Sequence, residues 1–69
     1  MDDSVLADRI RSTIDPLEKQ LHIARINVTV ERGIAILHGD IGSAEDARQI
    51  EEAVRGVAGV RDIRSHLSH

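Results

Sequence analysis

The feature that most constrains this chain is the complete absence of Phe, Tyr and Trp from its 69 residues. Aromatic side chains supply much of the apolar area in ordinary protein cores and interfaces. The core must therefore be built from Ile, Val, Leu and Ala, in a chain that is long enough for a single domain only. Because a domain of this size buries only about 60 % of the surface that its unfolded chain exposes, we expect a low stability or support from a partner.

Composition and charge argue against several classes of function. The chain contains no Cys, which excludes disulfides, thiolate catalysis and cysteine-based metal sites. A net charge of −3, together with the lack of aromatic rings for base stacking, argues against a nucleic-acid partner. The sequence shows no nucleophile motif and no glycine-rich phosphate loop, so we expect no enzyme activity and no cofactor.

Localisation is constrained only weakly. No apolar run approaches the roughly 20 residues that span a bilayer. The acidic start of the chain, residues 1–4, lacks the basic region that opens a signal peptide. We therefore expect either a cytoplasmic protein or a domain excised from a larger one.

The first segment predicts a helix that is interrupted. Asp2, Asp3 and Ser4 can cap a helix and complement its dipole. An apolar stripe at helical spacing follows: Leu6, Ile10, Ile14, Leu17 and Leu21. Pro16 removes a backbone donor, and residues 15–18 are typical of a new helix start with a capping box. We predict a helix over about 4–14, a break, and a short helical turn to about 21.

The middle of the chain predicts a β-hairpin. Residues 25–31 alternate between apolar and polar side chains, as in a half-buried strand. Arg32-Gly33 forms the turn, with Gly33 at positive φ. The apolar run 34–37 indicates a central strand, and we expect a loop over 39–43.

A second helix and a final strand follow the hairpin. The variant capping box at 43–46 and apolar residues three or four positions apart predict a helix over about 44–56. Gly56 and Gly59 are stop signals, and either can take a left-handed cap. Residues 60–67 predict the last strand.

This order of elements predicts an α+β fold of the αββαβ type. The hairpin is antiparallel, and the strand–helix–strand crossover places the last strand parallel to the second by a right-handed connection. Each helix has one apolar face. We therefore expect a three-stranded mixed sheet with two helices packed on one face.

Two isoleucines in the central strand form the main candidate site. If Ala35 and Leu37 face the helices, the alternation of a strand sends Ile34 and Ile36 to the opposite face. Polar and charged residues are expected around them: Arg25, Asn27, Thr29, Asp62 and Arg64. Scattered exposed apolar residues are common, yet on a polar face they are equally typical of an interface, so both interpretations stay open. The candidate binding residues are Ile34, Ile36, Arg25 and Arg64.

The histidines do not predict a metal site. His66 and His69 have a spacing that suits two metal ligands on a helix, but in a strand it points them to opposite faces. His38 is expected on the solvent side of its strand. The GxxG pattern at 56–59 resembles a nucleic-acid clamp, but its middle residues are apolar and we interpret it as a helix end.

An ordered set of short motifs carries a resemblance to a known family. Its fingerprint is an apolar-x-Val strand, a turn glycine, the pattern Val-x-Leu-x-Gly-x-Val, and a final Gly-Val-x-x-Val. Here the motifs read Ile26-Asn27-Val28, Gly33, Ala35 to Ile41, and Gly59 to Ile63. On these residues nearly the whole chain resembles the BON domain (bacterial osmotic-stress and nodulation domain) family. Ile36 stands where that family typically has a small polar residue, often Thr.

The resemblance implies one BON-like domain over 1–69 in which Gly33, Gly39 and Gly59 are structural. It also implies a non-catalytic binding module that is linked to phospholipid surfaces and osmotic stress, often as part of a cell-envelope protein. Its partner would then be a membrane phospholipid. The residues themselves favour an alternative, a protein-interaction or self-association module. Its possible homodimer would use the face around Ile34 and Ile36.

Overall fold

Two helices and three strands follow one another in the predicted order. A computed structural model describes residues 2–68 of the chain. The elements are α1 (Asp3–Leu21), β1 (Asn27–Glu31), β2 (Ile34–Asp40), α2 (Ala44–Arg55) and β3 (Asp62–Ser68). The α+β fold predicted from the order of elements is confirmed.

The three strands form one mixed sheet with β2 in the centre. β1 pairs with β2 in the antiparallel direction, and β3 pairs with β2 in the parallel direction. The hairpin turn places Arg32 at φ 53° and Gly33 at φ 81°. Two positive φ angles in a two-residue loop match the right-handed twist of the flanking strands. The predicted role of Gly33 is confirmed, and Arg32 shares the left-handed conformation.

Helix α1 runs through Pro16 without a break, so the predicted interruption is wrong. Asp2 caps the start of the helix, since its Oδ1 accepts a hydrogen bond from the Ser4 amide at 3.2 Å. Pro16 is exposed, and within a helix it removes one backbone hydrogen bond and crowds the carbonyl of Ser12, four residues earlier. Glu18 forms no capping box. Its carboxylate accepts hydrogen bonds from Arg11, earlier in the same helix, and from the Ile26 amide beyond it, and the second contact holds the last turn in place.

The end of β2 and the cap of α2 also differ from the prediction. β2 continues through Gly39 and Asp40, which were expected in a loop, because both are paired with β3. The pairing extends past the strand, where the Ile41 amide donates to the Ser68 carbonyl at 2.7 Å. Helix α2 ends in a right-handed cap at Gly56 with φ −79°. The left-handed conformation occurs further on, at Gly59, with φ 102°.

The core lies between the two helices and one face of the sheet. Ser43 caps α2, its Oγ accepting from the Asp46 amide at 3.1 Å. α1 packs against β1 and against α2, and α2 packs against β3. The buried side chains are all aliphatic: Leu6, Ile10, Ile14, Ile26, Ala35, Leu37, Ile41, Ala47, Ile50, Val54 and Leu67. Both helices therefore lie on one face, as predicted, and the opposite face of the sheet is left to solvent.

Candidate binding surface

The sheet face opposite the helices, which we call the open face, presents three rows of side chains that cross all three strands, and Asp40 and Ser68 lie beyond them on β2 and β3. The register between the strands defines each row. The first row is Glu31, Ile34 and Asp62; the second is Thr29, Ile36 and Arg64; the third is Asn27, His38 and His66. Each row crosses the sheet from β1 through β2 to β3.

The centre of the open face is apolar. Ala35 and Leu37 are fully buried beneath the helices, whereas Ile34 and Ile36 point the other way and are partly buried. The predicted alternation along β2 is thus confirmed. Within residues 2–68, the one large hydrophobic side chain that is fully on the surface is Val5 on α1, which is 46 % exposed. Ile34 and Ile36 are neighbours on this face of β2, and together they form an apolar strip that is partly buried.

Charge is distributed unevenly around this apolar strip. The row of Ile34 has a carboxylate at each end, from Glu31 and Asp62. The row of Ile36 has one cation, Arg64, and an uncharged Thr29 at the other end. Adjacent rows of β3 therefore carry opposite charges, negative beside Ile34 and positive beside Ile36.

The third row contains a pair of histidines whose proximity was not predicted from the sequence. The imidazole rings of His38 and His66 stack with centroids 4.8 Å apart and an angle of 13° between their planes. Both residues are exposed, as predicted for His38. The signal that would have found the pair is the parallel register of β2 and β3, which sets the two residues side by side.

Arg25 and Arg64 lie at different edges of the sheet. Arg64 is on β3 beside Ile36. Arg25 comes before β1 and lines an open groove between α1 and that strand, together with Asp8 and Arg11. The structure therefore joins Arg64 to the apolar strip and does not bring Arg25 together with Arg64.

The three fingerprint glycines have different structural settings. A methyl group on Gly33 would lie 2.8 Å from Cδ of Arg61, whose amide donates to the Gly33 carbonyl at 2.8 Å. A methyl group on Gly39 would lie 3.4 Å from Cγ1 of Ile26. Gly59 supplies a positive φ in the loop that leads to β3. None of the three adds a side chain to the open face.

A polar network between α1 and β1 was not predicted. Arg11 Nη2 donates to Glu18 Oε2 at 2.8 Å, and its Nη1 donates to the Ile26 carbonyl at 2.6 Å. The Ile26 amide donates to the same Glu18 oxygen at 2.6 Å. Arg11 Nε also lies 3.1 Å from Asp15 Oδ1, as an ion pair without hydrogen-bond alignment. The network fixes the start of β1 against the helix.

Residues 2–68 contain no group of three metal-ligating side chains. The predicted arrangement of His66 and His69 involves a residue outside the described range, so it remains a prediction. Neither described helix has the length and apolar character that a membrane crossing requires.

Comparison with known families decides the relationship. The family model described as "BON domain" matches residues 2–68, almost the full length of the chain. The chain belongs to the BON domain family. BON domains are known as modules linked to phospholipid binding and osmotic stress. A search among curated proteins finds no significant match.

In this BON domain the three fingerprint glycines shape the turns and the core packing. Gly33 and Gly59 set the backbone at the two loops next to the first row, and Gly39 lets Ile26 pack closely over β2. Ile36 and Arg64 lie on the opposite side of the sheet from that packing. Surface chemistry at these two positions can therefore change without disturbing the core.

Proposed function

We propose that this BON domain is a non-catalytic binding module whose binding surface is the open face. One observation carries the proposal: Ile34 and Ile36 form an apolar strip at the centre of the one sheet face that the helices do not cover. Polar and charged side chains surround the strip on both neighbouring strands. An apolar centre with a polar rim is the usual anatomy of a protein-binding surface.

The size of the open face indicates the kind of partner. With strands about 4.8 Å apart and residues about 3.3 Å apart, a three-stranded face seven residues long measures roughly 14 Å by 23 Å. A stable complex buries about 800 Å² on each partner. The open face alone is smaller, so it favours a weak, reversible protein contact.

The proposal is tested by mapping where small organic molecules bind. Isopropanol is titrated into ¹⁵N-labelled protein, because such probes collect at desolvated apolar hot spots. We expect amide shifts concentrated in β2 and β3 around Ile36, and their loss in the variant Ile36→Thr. Val5→Thr, which removes the exposed apolar residue of α1, is the matched control. Shifts centred on Val5, or shifts unchanged by Ile36→Thr, would sink the proposal.

An anionic phospholipid surface is the second candidate partner, and family membership favours it. The α2 side of the domain offers a negatively charged bilayer no net attraction, because this helix carries four acidic residues and two arginines. Arg64 beside Ile36 supplies a cation next to an apolar side chain. Glu31 and Asp62 oppose such an approach, which limits its strength.

Vesicle sedimentation tests the phospholipid candidate. Vesicles of phosphatidylglycerol with phosphatidylcholine are compared with phosphatidylcholine alone, at low and moderate salt. If phospholipid is the partner, the protein sediments with the anionic vesicles, less so as salt rises, and less so after Arg64→Ala. Absence of sedimentation with either vesicle at low salt removes phospholipid as a partner of this domain.

A further inference from the structure

We propose that the open face binds a second copy of this chain, face to face about a two-fold axis. The axis lies between the two sheets, runs across the strands, and passes between the row of Ile34 and the row of Ile36. This inference rests on the proposed function, because it names the occupant of the same surface. What favours this occupant is the charge pattern, which is complementary to itself in this orientation.

The contacts follow from the strand register. A two-fold axis across the strands turns them antiparallel and places the first row of one copy over the second row of the other. Ile34 then faces the partner's Ile36, and Ile36 faces the partner's Ile34. On β3, Asp62 faces the partner's Arg64, and Arg64 faces the partner's Asp62. Two ion pairs thus lie along the β3 side of a cluster of four isoleucines, and on the β1 side Glu31 faces the partner's uncharged Thr29.

Other face-to-face orientations are less favourable. An axis along the strands would place Glu31 over the partner's Asp62, and two carboxylates in one contact repel each other. An axis through the row of Ile36 would place Arg64 over the partner's Arg64. An axis through the row of Ile34 would place Asp62 over the partner's Asp62. Placing the axis between the two rows brings opposite charges together and also joins all the isoleucines.

The small footprint of the face sets the expected strength. An interface below the standard size of about 800 Å² per partner favours a dissociation constant on the order of 100 µM. Sheets that pack face to face keep their strands nearly aligned, so the proposed contact needs no rearrangement of the domain. The protein should therefore be monomeric when dilute and dimeric when concentrated.

Reciprocal charge exchange on β3 tests the inference by sedimentation velocity over a concentration series. Asp62→Arg places two arginines in each ion-pair contact, and Arg64→Asp places two aspartates there. We expect each single variant to weaken the dimer by about tenfold or more. The double variant restores opposite charges and should recover the wild-type association. An equimolar mixture of the two single variants should associate more tightly than either variant alone.

Controls separate this effect from changes in folding or in overall charge. Asp62 and Arg64 are exposed, so circular dichroism should show that all variants fold. Glu52→Arg and Arg48→Asp make the same charge changes at the exposed ion pair of α2, where the side chains are 67 % and 80 % exposed. Neither control variant should alter the wild-type dissociation constant.

The outcomes distinguish this inference from the proposed function. A wild-type chain that stays monomeric at every concentration, or a double variant as weak as the single ones, overturns the dimer. If isopropanol still maps to Ile36 in that case, the binding face stands and its occupant is a different protein. A monomer that sediments with anionic vesicles, and does so more strongly after Asp62→Arg, overturns the dimer in favour of phospholipid.

Discussion

At the scale of single residues, the hairpin turn depends on Gly33 for two separate reasons. Its φ of 81° is strained for any residue with a side chain, and a methyl group there would contact the Arg61 side chain. Gly42 shares the first reason but not the second, since its φ is 90° and a methyl group there meets open space. The two glycines therefore separate backbone strain from steric contact.

We expect Gly33→Ala to lower the free energy of unfolding by about 1–2 kcal/mol and Gly42→Ala by about 1 kcal/mol. Urea denaturation measures both values. Trimming the neighbour in the background Arg61→Ala should reduce the cost of Gly33→Ala to that of Gly42→Ala. An unchanged cost in that background would show that the Arg61 contact contributes nothing.

The second residue-scale feature is the carboxylate of Glu18, whose side chain is 13 % exposed. It accepts hydrogen bonds from Arg11 and from the Ile26 amide. Glu18→Ala leaves both donors without this acceptor, so we expect a loss of about 2–3 kcal/mol in the free energy of unfolding. Thermal and urea denaturation check this value.

An exposed ion pair provides the matched control for Glu18. Glu52 pairs with Arg48 along α2, where solvent screens the interaction. Glu52→Ala should change stability by no more than about 0.5 kcal/mol. Equal effects of Glu18→Ala and Glu52→Ala would mean that the network between α1 and β1 does not stabilise the fold.

At the scale of elements, Pro16 shows how tertiary contacts override a local signal. The helix continues through it because Leu17 and Leu21 pack against the core and Glu18 accepts a hydrogen bond from the Ile26 amide. We expect Pro16→Ala to raise the free energy of unfolding by about 1–2 kcal/mol, since a backbone donor is regained while the unfolded chain gains some freedom. Gln20→Ala, exposed in the same helix, should have little effect. A lower free energy of unfolding in Pro16→Ala would show that the proline stabilises the folded domain.

Periodicity in the sequence predicted every element, and its failures share one physical cause. A helix break was predicted at Pro16 and a loop at Gly39 because the residues that hold these segments in place lie outside them, Ile26 for the end of α1 and Leu67 for the end of β2. Local propensity contains no information about such partners. The alternation along β2 required no partner, and it placed Ile34 and Ile36 correctly.

The candidate surface followed the same rule. Its apolar centre was predictable because it depends on alternation within one strand. Arg64 was expected on this face, but its place in the same row as Ile36 and the stacking of His38 on His66 depend on the parallel register between β2 and β3. That register depends on how α2 packs over the core between β2 and β3. The pattern of a single sequence does not specify this packing.

At the scale of the whole molecule, an aliphatic core closes the domain without aromatic residues. The radius of gyration of 10.9 Å agrees with the value of about 11 Å expected for a folded chain of this length. A domain of this size has a free energy of unfolding of roughly 3–10 kcal/mol. Any substitution in its core therefore consumes a large fraction of the stability, whereas the open face lies outside that core.

Because the core and the open face are separate, neighbouring residues of β2 should respond differently to substitution. Leu37 is fully buried, so Leu37→Ala should cost about 2–5 kcal/mol and leave the domain close to unfolding. Ile36 points to the open face, and Thr is favoured in strands, so Ile36→Thr should cost no more than about 1 kcal/mol. Urea denaturation of dilute protein compares them without a contribution from association.

If Leu37→Ala is too unstable to measure, Ile50→Val serves in its place, with an expected cost of about 0.5–1.5 kcal/mol at another fully buried position. Ile36→Thr would then combine a small loss of stability with a large loss of association. That combination is expected only of a residue retained for binding. Were Ile36→Thr to destabilise the monomer as much as Leu37→Ala, Ile36 would be a core residue and the open face would lose its central apolar contact.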